Sequence, residues 1–500
     1  MSAVTPIAAA PVTAISPSPV TAIAGSPAIA IAGLPVVTIA RSPAAKSAGS
    51  PLMNPRTSRL LEGPIVPIML SMAWPNVLVM LAQASTGLIE TWFVSRLGLD
   101  ALTGMALVFP GFMMMQMLSG GAMGGGISSA IARALGGGRK HDADALVWHA
   151  VIINVVLGVL FSALVLTFGR TLYQALGGHG GSLDSALRYS TVVFIATPLV
   201  WLMNGLASVI RGTGNMAVPA LAVCLGVALL IPLSPTLIFG LGPIPAMGVT
   251  GAGLAVLFTT AMTTLVLGWY VFSGQSMVRP GWFRPRRAMF ADILRVGAVA
   301  SVSTLQTSFT IGLLTALVGA AAGPDAVAGY GTGARLEFLL VPLVFGLGAP
   351  LVTLVGTNIG AGQRERALRV ALTGGAVAFG LCEAVGVTAA IWPEAWLGLF
   401  GHDPRMLATG VVYLHYAGPG YGFFGLGLSL YFASQGAGRL AWPLFAGFLR
   451  MAIAVGGGWA AWFATHDLRV VFAVLGLALA VYGGVLVTAI RAGVWFRRPV

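Results

Sequence analysis

The sequence predicts an all-α polytopic membrane protein, with twelve transmembrane helices in two six-helix lobes related by a pseudo-two-fold axis along the membrane normal. Three observations predict it. First, the chain is 57% hydrophobic and only 8% charged, against about 25% charged in an average soluble chain, and its mean hydropathy is +0.91. Second, the apolar stretches are continuous over the ~20 residues that a spanning helix needs, whereas barrel strands alternate over ~10 residues. Third, the halves repeat. GLDALTG at 98–104 matches GPDAVAG at 323–329, LGGGRKHDA at 135–143 matches IGAGQRERA at 359–367, and RGTGNMAVP at 211–219 matches QGAGRLAWP at 435–443. The first pair is offset by 225 residues and the other two by 224. An even number of spans per half makes both repeats enter from the same side, which puts the symmetry axis along the membrane normal.

Taken in order, residues 1–59 read as a disordered, low-complexity tail. Eight prolines before Met53 rule out a continuous helix, and the tail lacks the basic start of a secretory signal. Met53 is a candidate for the true start. Residues 60–273 form the first lobe, with spans at 64–97, 101–135, 145–169, 186–212, 216–241 and 248–273. A basic linker follows at 274–292. The second lobe, 293–490, holds spans at 293–321, 326–359, 367–393, 406–435, 440–464 and 468–490, and a basic tail closes the chain at 491–500. Gly, Pro and charge separate these spans.

The basic residues orient the chain. With the N-terminus inside, twenty of the 27 Lys and Arg fall in cytoplasmic segments, against five outside (Arg96, Arg170, Arg188, Arg405 and Arg469). That asymmetry places both termini in the cytoplasm, and it makes the formal charge of +13 an orientation signal rather than a nucleic-acid footprint. Cys224 and Cys382 lie inside apolar segments without metal or disulfide spacing, as small buried thiols do.

Polar residues inside the spans are few, and the first span carries the most informative set. Glu90 lies eight residues before Gly98, roughly 12 Å along a helix. Asn76 and Gln83 precede it at intervals of seven, which returns a helix to nearly the same face. The expected result is a polar stripe of Asn76, Gln83 and Glu90, with Pro75 as a hinge. An ionised side chain at this depth costs at least ~2.5–3.5 kcal/mol, so Glu90 is a candidate functional group; the blander reading is a protonated Glu bonding a neighbouring helix. Met113, Met114 and Met117 belong to a Met-rich run in span two. Such a run packs between helices or faces lipid, and its alternative use is as an adaptable substrate surface.

The segments GLIETWFVSRLGLDALTG (87–104), GTGNMAVP (212–219), LIFGLGPIPAMGVTGAGLA (237–255) and AGYGTGARLEFLLVPLVFGLGAPLVTLVGTNIGAGQRERA (328–367) resemble MATE (multidrug and toxic compound extrusion) transporters, over residues 60 to about 490. The resemblance implies export of cationic or amphiphilic organic compounds, driven by inward H⁺ or Na⁺, with H⁺ the favoured ion here. Glu90 stands where the family carries its cation- or proton-binding acid. In span five the family's Asn and Asp positions are Leu230 and Ser234, and Pro232 and Pro235 are unusual. Second-lobe candidates are Arg335 and Glu337 in ARLE, Gln306 near a family Glu position, Arg450, Glu383, His415 and Tyr416. For Glu337 a structural pair with Arg335 competes evenly with a functional role, and for Glu383 and His415 a structural role is the first reading.

No cofactor, metal cluster, ATPase motif or catalytic pair is present. GGAMGGG at 120–126 lacks a phosphate-loop ending and suits close helix packing, and GYGTG at 329–333 follows no strand. The expected partners are small organic cations and the lipid bilayer, with no nucleic acid, and the expected state is a monomer in the bacterial inner (plasma) membrane. The alternatives are a lipid-linked oligosaccharide flippase of the same superfamily and a membrane-embedded sensor or enzyme.

Overall fold

The computed structural model describes residues 54–496. The expectations for residues 1–53, for Met53 as a start and for residues 497–500 lie outside them. The described chain is helical throughout, apart from one isolated bridge between Leu241 and Ile244. Nine of its helices are long and apolar enough to cross a membrane, or ten when one bent pair counts as a single span.

We number the elements α1 Pro55–Glu62, α2 Ile65–Ser95, α3 Leu99–Gly136, α4 Lys140–Ala175, α5 Gly180–Ile195, α6 Thr197–Gly212, α7 Ala217–Phe239 and α8 Gly248–Phe272. One helical run, Arg287–Gly360, then covers 74 residues. Straight, it would be ~110 Å long, several times the ~30 Å hydrocarbon layer. It breaks at Gly323 (φ 80°, ψ −173°), a backbone geometry natural only to glycine, directly before Pro324. Beyond the break the chain folds back, since a Cβ on Gly319 would lie 3.2 Å from Val327 Cγ2, residues that a straight helix would hold ~12 Å apart. We therefore treat 287–322 as α9 and 324–360 as α10. There follow α11 Arg364–Ile391, α12 Pro393–Leu397, α13 Pro404–Ala417, α14 Tyr421–Ala437, α15 Ala441–Thr465 and α16 Leu468–Arg491.

Several expected boundaries move. The tail was drawn to residue 59, yet α1 begins at Pro55: the Asn54 side chain caps the Arg56 N–H at 3.0 Å, Pro55 suits the first helical position, and Leu60 and Leu61 are buried. The expected span at 186–212 is two helices bent by 45°, broken at Ala196 ahead of Pro198. The span at 406–435 is interrupted by a single turn at Gly418–Gly420. At the other end Trp495 is buried and donates to Ser434 Oγ at 3.3 Å, so the described part of the 491–500 tail packs on α14.

Two large apolar cores organise these helices. One gathers Val94, Ile127, Ile131, Phe194, Ile210 and Leu267 from the first half of the chain. The other gathers Leu317, Leu351, Val355, Leu430 and Phe472 from the second half, together with Ile68, Met69 and Met72 of α2. Helix α2 therefore crosses the boundary drawn around the first lobe, with its start in the second core and Val94 near its end in the first.

The two halves join at the end of the bundle where α3 and α10 finish. Arg133 donates to the Gly436 carbonyl at 3.2 Å and pairs with Asp292 at 2.7 Å, and Thr353 donates to the Arg211 carbonyl at 2.9 Å. Within α3, Met117–Met123 winds as a π-helical turn, which loosens carbonyls from the regular ladder. Gln435 of α14 donates to two carbonyls of that turn, Gly121 at 3.3 Å and Ala122 at 3.4 Å. The crossing of α3 and α10 is symmetric: a Cβ on Gly136 would overlap the Thr357 carbonyl, and one on Gly360 the Arg133 carbonyl. Both pairs obey the 224-residue offset. Gly136→Val or Gly360→Val is expected to disfavour this closed crossing by the ~1–3 kcal/mol typical of overpacking. Spin labels at His141 and Arg369 should then report a larger population of long distances than in the wild type.

Candidate functional site

Glu90 lies in the last two turns of α2, where the helix joins the first core. Its side chain is buried, 7% exposed, and its Oε1 has no hydrogen-bond partner. Among the described residues no basic side chain pairs with it. The buried Tyr189 of α5 is within electrostatic range. On α7, which packs along α2, Leu230 and Ser234 are both buried and the Ser234 hydroxyl is also unpartnered. An unpaired carboxylate oxygen in an apolar interior is costly unless the group is neutral or meets a cation. That makes Glu90 suited to holding a proton or a positive charge.

The polar stripe does not form as expected. Asn76 is buried, with its amide donating to the Met72 carbonyl at 3.3 Å, whereas Gln83 is exposed. A helix drifts ~20° per heptad, and α2 buries its two ends against different cores, leaving the stretch around Gln83 open. Pro75 lies inside a helix that runs unbroken from Ile65 to Ser95.

The second-half candidates separate into bracing groups, exposed groups and one cavity group. Gln306 is buried and donates to Thr310 Oγ1 at 2.9 Å and to the Gly447 carbonyl at 3.0 Å, so it braces α9 against α15. Glu383 accepts the Gly422 N–H at 2.8 Å, where a carboxylate stabilises the start of α14. Arg335 is exposed, lies 5.4 Å from the Phe400 ring, and makes no ion pair with Glu337. His415 and Tyr416 are exposed as well, on the side of α13 away from the core. Met113, Met114 and Met117 are exposed and Met115 is buried, so the Met run presents one face outward.

Glu337 lines a cavity of about 110 Å³ with Thr310, Tyr330, Tyr413 and Arg450. Tyr421 donates to the Tyr413 hydroxyl and Tyr413 to Glu337 Oε2, each at 3.3 Å. Tyr330 meets Tyr413 edge-on at 5.1 Å. Arg450 is buried under the Tyr482 ring at 5.2 Å, in the turn before a second π-helical segment at Ala452–Gly457. Sequence reasoning missed the tyrosines. The signal was available on α10, where Tyr330, Ala334 and Glu337 share one face at i, i+4 and i+7. It also missed the buried Asn204, which donates to Gln116 and Ser119 at 3.0 and 2.8 Å. Among the described residues no cluster of His, Cys, Asp or Glu could hold a metal ion.

The profile of the family described as MatE matches the chain twice, at residues 75–236 and 299–459, two stretches that begin 224 residues apart. The chain belongs to the MATE family. This MATE protein is a transporter and not an enzyme. It is 27% identical over 350 residues to the FAD transporter of Shewanella oneidensis, covering 70% of this chain and 77% of that one. It is 26% identical over 377 residues to the probable multidrug resistance protein NorM of Thermotoga maritima, covering 75% and 80%. Among solved structures, a MATE protein in a bent conformation superposes with a TM-score of 0.82 at 26% identity, over 89% of this chain and 98% of that one. A MOP-superfamily transporter from Pyrococcus furiosus, described as having a binding pocket of reverse polarity, superposes with a TM-score of 0.80 at 25% identity, over 89% and 100%.

Within the cavity, Glu337→Leu strands the Tyr413 hydroxyl and leaves Arg450 without a facing carboxylate. It is expected to cost about 2 kcal/mol and to lower the Tm in detergent. Glu337→Gln keeps an acceptor for Tyr413 and should lose less than half as much.

Proposed function

We propose that this MATE transporter is a secondary antiporter that exports organic cations or amphiphilic drugs in exchange for H⁺, with Na⁺ as the alternative ion. In this reading the helices make twelve crossings in two six-helix lobes, related by an axis along the membrane normal. The protein sits in the bacterial inner membrane with both termini in the cytoplasm. The asymmetry of arginine in the loops supports that orientation, and the broken run at Gly323 supports the crossing count.

The observation that carries the mechanism is the buried Glu90 carboxylate, with a free oxygen and no basic partner among the described residues. Protonation from outside neutralises the side chain. Release of the proton on the cytoplasmic side restores a charge that a cationic substrate balances. The same carboxylate thus favours a proton and a cation in turn, and each ligand biases the two-state equilibrium by its differential affinity for the two states. The likeness to a multidrug resistance protein supports the substrate class. A second reading, export of an anionic flavin nucleotide, is favoured by the likeness to the Shewanella FAD transporter.

Glu90→Gln is expected to abolish efflux of cationic dyes from cells, and their accumulation in everted vesicles, at unchanged protein level and Tm. Undiminished efflux in that variant would reject the role of Glu90. In wild-type vesicles, collapsing the pH gradient should stop transport and replacing Na⁺ by choline should not; the opposite pattern makes Na⁺ the coupling ion. Competition of dye efflux by FAD would favour the second reading.

A further inference from the structure

The segment between α8 and α9, residues 273–286, joins two membrane-spanning helices and therefore lies at a bilayer surface. It is pinned to the start of α4. The Arg279 N–H donates to Asp144 Oδ1 at 2.7 Å and the Arg286 N–H to His149 Nε2 at 2.9 Å. Trp282 packs on Trp148 at 4.6 Å and Phe283 on His141 at 5.3 Å. The backbone is thus held, while Arg279, Arg284, Arg286 and the adjoining Arg287 are all exposed. Among the described residues none of the four guanidinium groups is in an ion pair or a hydrogen bond.

Nearby carboxylates are already engaged: Asp142 with Arg139 at 3.4 Å, Asp144 with the Arg279 backbone, and Asp292 with Arg133. Between Ser273 and Arg287 the chain carries no acid. Beside Arg279, a polar cleft of about 420 Å³ opens between the end of α8 (Phe272, Ser273, Gly274) and Pro280. Phe272 lines the cleft, and two further aromatics nearby in sequence are exposed, Trp269 on α8 and Trp282, which is 90% exposed.

We propose that this segment is a binding site for anionic phospholipid. The phosphate-bearing headgroup occupies the cleft beside Arg279, with the other arginines around it, and Trp282 sits in the interfacial layer. Exposed arginines without protein partners supply the charge, worth about fivefold in association per residue near the surface. Aromatic side chains of this kind partition to the headgroup level. A soluble acidic protein would use the charge, but it would leave a Trp at the membrane edge without an apolar environment. The proposal stands independently of which ion or substrate is transported.

The test uses the full chain in nanodiscs of phosphatidylcholine with a minor fraction of phosphatidylglycerol, counting retained lipids by native mass spectrometry. The wild type is expected to retain phosphatidylglycerol in excess of its share. The variant Arg279→Gln, Arg284→Gln, Arg286→Gln, Arg287→Gln should lose at least about fivefold of that preference. Because four lost charges could disturb insertion, a second variant, Arg279→Gln with Arg284→Gln, keeps most of the orientation signal and should lose the preference in part with an unchanged Tm. No preference in the wild type, or equal retention by all three proteins, overturns the proposal. Loss of phosphatidylglycerol retention with intact dye efflux would support it and leave the transport reading untouched.

Discussion

An acid without a counter-charge, in a medium that penalises charge, is the constraint on which the rest of the molecule turns. Glu90 is only 7% exposed, and among the described residues nothing hydrogen-bonds its Oε1. Such a group is tolerable only when a mobile species completes it. The apolar first core supplies the low-dielectric setting, and among the described residues no ion pair to Glu90 closes the position. Cavity-facing Glu337 is treated differently: Tyr413 bonds it, and Arg450 lies on the same cavity wall. The two halves of a duplicated chain have therefore given their acids different environments, one unsatisfied and one provided for.

The division into two cores explains how a change at one acid could reach the rest. Helix α2 belongs to both, so a shift of its Glu90 end is carried along the helix to its own Ile68, Met69 and Met72, which sit in the second core. At the far end of the bundle the halves are held by backbone carbonyls rather than by many salt bridges. Gln435 and Thr353 reach across to carbonyls, and the glycines at α3 and α10 let main chain lie on main chain. Contacts of this type have two clear states, because a crossing that closes on glycine either fits or separates.

Much of the architecture was legible in the sequence because lipid imposes a simple rule: backbone groups must be satisfied within helices, and the helices must be long and apolar. The repeat at 224 residues was equally visible, since glycines forced by close crossing sit at matching places in both halves. What could not be read were features that depend on the third dimension. Gln83 has the right spacing to face with Asn76 and Glu90, yet its stretch of α2 lies between the two cores and is exposed. His415 and Tyr416 have suitable chemistry, but helix phase turns them outward and brings Tyr413 in. Gln306 stood near a family Glu position and packing made it a brace to Gly447, while Glu383, read first as structural, bonds the Gly422 N–H. Asn54 and Pro55, embedded in a proline-rich tail, carried a helix start that composition alone concealed.

The wide turn at Met117–Met123 has a geometric consequence of its own. It accommodates an extra residue within an otherwise regular rod. Were that residue released, the segment from Gly124 to Gly136 would advance by about 1.5 Å and rotate by roughly a quarter-turn or slightly more. The carbonyls that receive Gln435 would return to their own ladder at the same moment. One rod thus holds, in a single coil of its main chain, both a fastening between the halves and the slack needed to undo it.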